Sequence, residues 1–449
     1  MDDLSAQIAA LMADDDALLQ GLQRGGPMNL PRAYEIMERF GVDGLVLGDP
    51  LNVFHALGYW PQIGTTRQGQ PPTTFAILTR DPRQAPAIVT SHFIYYYTFV
   101  DGGPREGVAA YLFQDAGDEG PGGLGPDGTR LERTASPWPG LFADKGAAPL
   151  TEVEERRRDR TDAALRDRPL LADSGGALVR ALRDLGLWSG RLGYDHDVVR
   201  MVCERHERPG DLVPADNLMR WIRVVKSPLE LALMRRGAQA NAAAVDAVIT
   251  QVRAGANYRD LRRLFAVESA RRGNRAVFMT IDRVSSDLPT SDTVRDGQSL
   301  FFDGVGHFQN YHGDYARTVF VGEPAAAAVR AADAAQAGWK AIREQLRPGL
   351  RLSEVSRIGL ETLRKSGAGD LVTFGPHSVG LMHTDEPGEV RGGFYGKNDL
   401  VLEENMILSV DCPSLDTGIG GSVHIEDLVV ITRDGAEPIH PLGKHVITI

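Results

Sequence analysis

Four apolar, β-type runs in the second half of this 449-residue chain carry ionisable side chains where a buried strand ordinarily carries none. Leu300 to Phe302 stops at Asp303, and Thr318 to Val321 begins just after Asp314. Met406 to Val410 ends at Asp411, while Val423 to Thr432 is interrupted by His424, Glu426 and Asp427. A carboxylate inside such a run is costly if it is buried alone, because it gives up water without gaining a partner. Each acid therefore needs a cation, a hydrogen bond or an outward-facing position. For a single Asp beside glycine, a strand-capping turn suffices. For Asp303, Asp314, Asp411 and Glu426 taken together, one shared cation site accounts for the set.

Spacing supports such a site. Asp303 and Asp314 are eleven residues apart, separated by a segment containing Gly304, Gly306 and Gly313, and a hairpin-like return would bring both to one end of a sheet. A further segment, TFGPHSVGLMHTDEP, supplies His377 and His383 six residues apart, with Gly375 and Gly380 permitting close approach. Asp303, Asp314, His377, Asp411 and Glu426 then form a hard, oxygen-rich set with one imidazole, which suits Mn²⁺, Zn²⁺, Co²⁺ or Fe²⁺. Their four negative charges balance two divalent ions. Two ions about 3.5 to 4 Å apart hold a bridging water, lower its pKa and polarise a scissile carbonyl.

At roughly 100 to 200 residues per domain, the length corresponds to two or three domains. The 60 Asp and Glu against 49 Lys and Arg leave a net charge of −11, which argues against binding nucleic acid through a basic footprint. Arg32 to Phe40 has helical period, GVDGLVLGD reads as a buried strand that LNVFHALGYW continues, and TTFAILTRD and APAIVTS are two more strands. That alternation is the rhythm of an α/β domain. A Gly- and Pro-dense stretch from about Gly117 to Pro149 reads as an irregular surface excursion. Ser227, Pro228 and Glu230 form a capping box with proline at the first helical position. Leu231, Met234, Ala238, Asn241, Val245 and Ile249 continue from it as a buried helical stripe. The domain boundary is expected just before that helix. Cys203 and Cys412 are the only cysteines, the N-terminal segment has acids where a signal peptide needs basic residues, and no apolar stretch reaches the roughly eighteen residues that span a bilayer. A cytoplasmic protein without membrane or nucleic-acid partners is expected.

Taken in order, KSPLEL, DGVGHFQNYHGDYARTVFVG, HSVGL, ENMILSV and IED resemble the catalytic domain of the pita-bread metallopeptidases. That family includes Xaa-Pro dipeptidase (prolidase), aminopeptidase P, methionine aminopeptidase and creatinase. LNVFHALGYW is similar to a segment of the creatinase-type N-terminal domain. The resemblance implies an α/β (α+β) chain, with a creatinase-type N-terminal α/β domain over residues 1–222 and a pita-bread catalytic domain over residues 223–449. It implies Asp303, Asp314, His377, Asp411 and Glu426 as ligands of two divalent metal ions, with Asp314 and Glu426 bridging. Manganese is the first choice, and zinc, cobalt or iron the alternatives. His383 and His424 are implied as catalytic histidines, with Asp385 as the alternative to His383 for moving the proton. Four features depart from the family pattern: His383 follows His377 by six residues where the family has seven, the segment DRVSSDLPTSD lacks the histidine that proline-specific members carry before the first ligand aspartate, and two ligand-region residues differ. Asp411 stands where the family has Glu, which sets its carboxylate roughly 1 to 1.5 Å further back, and His424 stands where the family has Arg. The implied function is a metal-dependent hydrolase of peptide C–N bonds, Xaa-Pro dipeptidase- or aminopeptidase-like, acting as a homodimer on a small peptide. The alternatives are a creatinase-like amidohydrolase or lyase of small molecules with one metal or none, and a non-catalytic peptide- or protein-binding protein.

Overall fold

A computed structural model describes residues 2–62, 71–101, 107–114, 146–285, 292–369, 371–391, 394–415 and 418–449. The chain forms two compact units, one spanning Ala17–Ile222 and the other Arg223–Ile449 together with Met1–Asp16.

In the first unit, strands β1 (Gly44–Leu47), β2 (Phe75–Thr79), β3 (Ala87–Ser91), β4 (Ala109–Phe113), β5 (Leu192–Tyr194) and β6 (Leu212–Pro214) form one mixed sheet in the order β4-β3-β2-β1-β5-β6. Both faces are covered. Leu45, Leu47, Ala76 and Leu78 join one core with Ala33, Ile36 and Met37 of the helix Leu30–Phe40. Val46, Phe75, Ile77 and Val89 join another with Ala177, Leu178 and Leu182 of the helix Ser174–Asp184. Burial on both sides explains why these strands are apolar without alternation.

LNVFHALGYW does not continue the first strand, as its apolar composition suggested. Pro50–Leu57 is a helix: the Asp49 carboxylate caps it by accepting from the N–H groups of Leu51 and Asn52, proline occupies the first turn, and Gly58 closes it at φ 68°. The Asp-Pro start and glycine stop outweigh the apolar run. Most of the Gly- and Pro-dense stretch, residues 115–145, lies outside the described residues.

The second unit contains β7 (Arg275–Ile281), β8 (Ser299–Phe308), β9 (Tyr311–Phe320), β10 (Gly375–Ser378), β11 (Gly388–Arg391), β12 (Phe394–Lys397), β13 (Ile407–Ser414), β14 (Val423–Ile425), β15 (Leu428–Ile431), β16 (Ala436–Pro438) and β17 (Val446–Thr448). One sheet runs β17-β9-β8-β7 and a second β10-β13-β15-β16, with β14 paired to the far end of β13 and β11 to β12 as a separate ribbon. An Ala316–Glu426 bridge joins the two sheets. The helix Pro228–Ile249 begins as its sequence predicts: Glu230 N–H donates to Ser227 Oγ at 3.1 Å and Ser227 N–H to Glu230 Oε2 at 2.8 Å. Together with the helix Tyr258–Arg271 it encloses an apolar core with β7, β8 and β9. Among the described residues no helix is long and apolar enough to cross a membrane.

The strands are longer than their apolar runs. β8 passes through Asp303 to Phe308, and β9 starts at Tyr311, before Asp314. The reversal falls at Gln309 and Asn310, both at positive φ (49° and 64°), as a two-residue hairpin requires. The aspartates therefore lie within the ladder instead of at its end. On the opposite face, glycine lets the helix Pro228–Ile249 approach the hairpin. A Cβ at Gly313 would stand 2.7 Å from Asn241 Cβ, 2.9 Å from Ala238 Cα and 3.1 Å from Gly237 O. Backbone cannot retreat as a flexible side-chain tip can, so Gly313→Ala should cost about 1 to 3 kcal/mol. A lower urea midpoint is the expected result; an unchanged one would mean that the close approach is not needed.

Candidate metal centre

Strand register explains why six ionisable side chains converge. In the β8–β9 ladder Asp303 pairs with Ala316 and Asp314 with Val305, and residues two apart share a face, so both carboxylates point the same way. On β13, Ser409 pairs with His377 of β10, Asp411 lies two residues on, and Pro413 pairs with His424 of β14. Glu426 follows His424 by two and is fixed by the bridge between sheets, with Ala316 N–H donating to Glu426 O at 3.2 Å and Glu426 N–H to Ala316 O at 3.1 Å. Thr318 clamps the adjacent backbone: its Oγ1 donates to His424 O at 2.9 Å and accepts from His424 N–H at 3.1 Å.

His377 Nε2 lies 3.4 Å from Glu426 Oε1, 3.6 Å from Asp314 Oδ2 and 3.8 Å from Asp411 Oδ2. His424 Nε2 is 3.5 Å from both Asp411 Oδ1 and Glu426 Oε2. His383 Nε2 sits 3.0 Å from Asp314 Oδ2 with its side chain 37% exposed. Asp385, the alternative to His383, lies elsewhere: it is buried, with Arg223 Nη2 2.8 Å from its Oδ1.

Four acids cannot all hold a charge in so dry a cluster without cations. Burial, reinforced by Glu426, pushes Asp303 up to about 7, and the same causes raise Asp314 well above the carboxylate range. Burial and Glu426 raise Asp411 as well. Glu426 is the exception: burial opposes its charge, but contacts with His377 and His424 hold it far below its usual value. The histidines respond in kind. Burial works against His377, yet Glu426, Asp314 and Asp411 carry it up to about 9. His424 is likewise raised, against its burial, by Asp411 and Glu426.

Asp303 Oδ1 and both carboxylate oxygens of Asp314 are buried and receive no hydrogen bond. Buried oxygens of this kind call for a partner, and the donor set of carboxylates and imidazoles fits divalent ions of the Mn, Fe, Co and Zn group. Three overlapping triads place one donor atom per residue within 4.8 Å of one another: Asp314, His377 and His383; Asp303, His424 and Glu426; His377, Asp411 and Glu426. All seven residues singled out from sequence thus come together.

Several contributors were not singled out. Ser409 Oγ donates to Glu426 Oε1 at 2.6 Å; its position two residues before Asp411, on the same face, was the available signal. Arg317 and Asp427 form a fully buried pair, Nη2 to Oδ1 at 2.7 Å. Arg317 Nη1 also donates to Ala316 O at 2.8 Å and Glu426 O at 3.0 Å, which braces the bridge between the sheets.

Residues 232–433 match the model of metallopeptidase family M24. A Mycobacterium tuberculosis protein named probable dipeptidase PepE is 28% identical over 251 residues, covering 53% of this chain and 64% of its own length. The chain thus spans somewhat less than two thirds of that relative. The Xaa-Pro dipeptidase of Pyrococcus horikoshii is 25% identical over 242 residues, covering 52% of this chain and 67% of the relative. Among solved structures, the Xaa-Pro dipeptidase from Bacillus anthracis superposes with a TM-score of 0.64 at 17% identity, over 94% of this chain and 99% of that one. The likeness is one of fold: an α/β N-terminal domain followed by a pita-bread domain, the class expected from sequence. Residues 232–433, which carry the hairpin and the facing sheet that gather carboxylates and imidazoles, are thus similar in sequence to metallopeptidase family M24.

Proposed function

We propose that this protein is a metal-dependent dipeptidase, with Xaa-Pro dipeptides as its leading substrate class. The observation that carries the reading is the convergence of the buried carboxylates of Asp303 and Asp314, of which Asp303 Oδ1 and both Asp314 oxygens accept no hydrogen bond, with His377 and Glu426. The names of the mycobacterial and Pyrococcus relatives support peptide over small-molecule amide. Asp303, Asp314, His377, Asp411 and Glu426 would hold two divalent ions, manganese being the first choice. When bound, such ions supply a Lewis acid for the scissile carbonyl and an acidified water as nucleophile.

The chain's own residues do the rest. Ser409, through its hydrogen bond, fixes the rotamer of Glu426. His383 is the one histidine of the cluster exposed enough to meet substrate, and its Nε2 is positioned to hold a proton beside Asp314 and deliver it to the leaving amine. The reading also takes a homodimer in a reducing, cytoplasmic compartment, which the two buried free cysteines suit.

The test is a parallel screen of Xaa-Pro dipeptides, other dipeptides, Xaa-Pro tripeptides and small amides with added Mn²⁺, alongside metal analysis of the purified protein. Dipeptide cleavage with about two metal equivalents is expected. Turnover of small amides alone would favour the creatinase-like alternative, and absence of both metal and turnover the binding protein. Within the same assay His383→Ala should lower kcat by about 10² to 10⁴ with a much smaller change in KM; an unchanged kcat would remove His383 from the proton path.

A further inference from the structure

We infer that His424 is a metal ligand and not a proton carrier, its Nε2 completing with Asp303 and Glu426 a second ligand pocket beside that of His377, so that each of the two ions is held by one imidazole. The inference rests on the dinuclear reading above. Its ground is the way the carboxylates are shared. Glu426 turns Oε1 to His377 at 3.4 Å and Oε2 to His424 at 3.5 Å. Asp411 turns Oδ2 to His377 at 3.8 Å and Oδ1 to His424 at 3.5 Å. Each of these two acids presents one oxygen to each ring, so the two imidazoles occupy equivalent places on either side of them. Asp303, His424 and Glu426 offer donor atoms within 4.8 Å of one another, as do His377, Asp411 and Glu426.

The setting of the ring points the same way. His424 is 5% exposed, its backbone is clamped by Thr318 in both directions, and its ring meets Phe301 edge-on at 5.5 Å. A proton carrier must exchange with solvent or substrate, and a ring so held has little freedom to do so; His383 has that freedom. Held rigidly on strands, an imidazole is well placed as a ligand. Charge agrees. Four carboxylates already balance two dications, so a neutral nitrogen donor adds affinity without adding charge. A nitrogen ligand in each pocket also shifts preference from manganese toward zinc, cobalt or iron.

The test is Co²⁺ titration of the metal-free full-length protein, followed by calorimetry and visible absorption, for the wild type, His424→Gln, His424→Arg and Asp314→Asn. Wild type should bind two Co²⁺ ions. His424→Gln and His424→Arg should keep one at near wild-type affinity and weaken the other at least about 100-fold. Proton NMR of the Co²⁺-loaded protein gives a second readout that needs no variant at position 424. In a His383→Ala background, two hyperfine-shifted, exchangeable imidazole N–H signals are expected, and one would overturn the assignment. If Asp314→Asn loses metal while His424→Gln binds both ions as tightly as wild type, His424 is not a ligand and the dinuclear site stands. If wild type binds no Co²⁺, both readings fall.

Discussion

Asp314→Asn should yield a folded protein that has lost at least about a thousandfold in kcat/KM, because metal-derived stabilisation is worth several kcal/mol and each 1.4 kcal/mol is tenfold. The same substitution should leave the metal-free protein as stable as wild type or more so. Asp314 is 1% exposed, neither oxygen receives a hydrogen bond, and Glu426 and Asp303 repel its charge. The sign follows from linkage. An acid whose folded pKa is raised binds its proton more tightly in the native state, so native stability falls as pH rises from the ordinary carboxylate range through the folded value. For Asp303 that window runs from near 4 to about 7; for Asp314 it also opens upward from near 4. Metal-free wild type should therefore melt at lower temperature at pH 8 than at pH 5 in chelator, with Asp314→Asn showing a smaller drop. Added Mn²⁺ or Co²⁺ should raise the melting temperature of wild type far more than that of the variant. Wild-type turnover in Asp314→Asn would sink the ligand assignment.

Asp427→Ala should destabilise by about 3 to 5 kcal/mol, the scale for stripping one partner from a buried ion pair. Both Asp427 and Arg317 have side chains fully shielded from water. Asp427 also accepts from Trp339 Nε1 at 2.8 Å and has His445 Nε2 at 2.8 Å, while Arg317 donates to Leu442 O as well as to the backbone of Ala316 and Glu426. The truncation leaves a guanidinium without its counter-charge and an indole N–H without its acceptor. Burial opposes the Asp427 charge, but Arg317 and its neighbours hold the carboxyl far below the usual range. Its contribution is therefore present above the unfolded value near 3.9 and is lost only as pH falls through the much lower folded one. Equilibrium urea unfolding at pH 7 measures the loss. A change under 1 kcal/mol would mean that water or another acid replaces the carboxylate. Arg317 braces the bridge that carries Glu426, so metal affinity should fall along with stability.

The candidate ligand set was legible because charge inside an apolar run has few physical excuses. Asp303, Asp314, Asp411 and Glu426 advertised themselves by being expensive to bury. The helix starting at Ser227 was legible for a local reason, since its cap lies within four residues. Pro50–Leu57 was harder: a short helix buried on nearly every side is as uniformly apolar as a buried strand, and only the Asp49-Pro50 start and Gly58 stop separate the two. The turn at Gln309 and Asn310 was hidden because glycine at 304, 306 and 313 looks like turn chemistry when its purpose is helix packing. The Arg317–Asp427 and Arg223–Asp385 pairs join residues 110 and 162 positions apart. No local pattern announces a partner at that distance.

The two faces of β8 have a consequence for how such a protein can change. Asp303 faces the candidate metal centre, while Gly304 and Gly306 serve the packing of the helix Pro228–Ile249. Two tasks are interleaved on one ribbon, residue by residue, with little overlap between them. Substitutions at one set of positions can redirect or silence the reaction while the scaffold persists, and those at the other set can tune robustness while the reaction persists. A hairpin written in this way lets catalytic divergence and structural maintenance proceed as nearly separate histories.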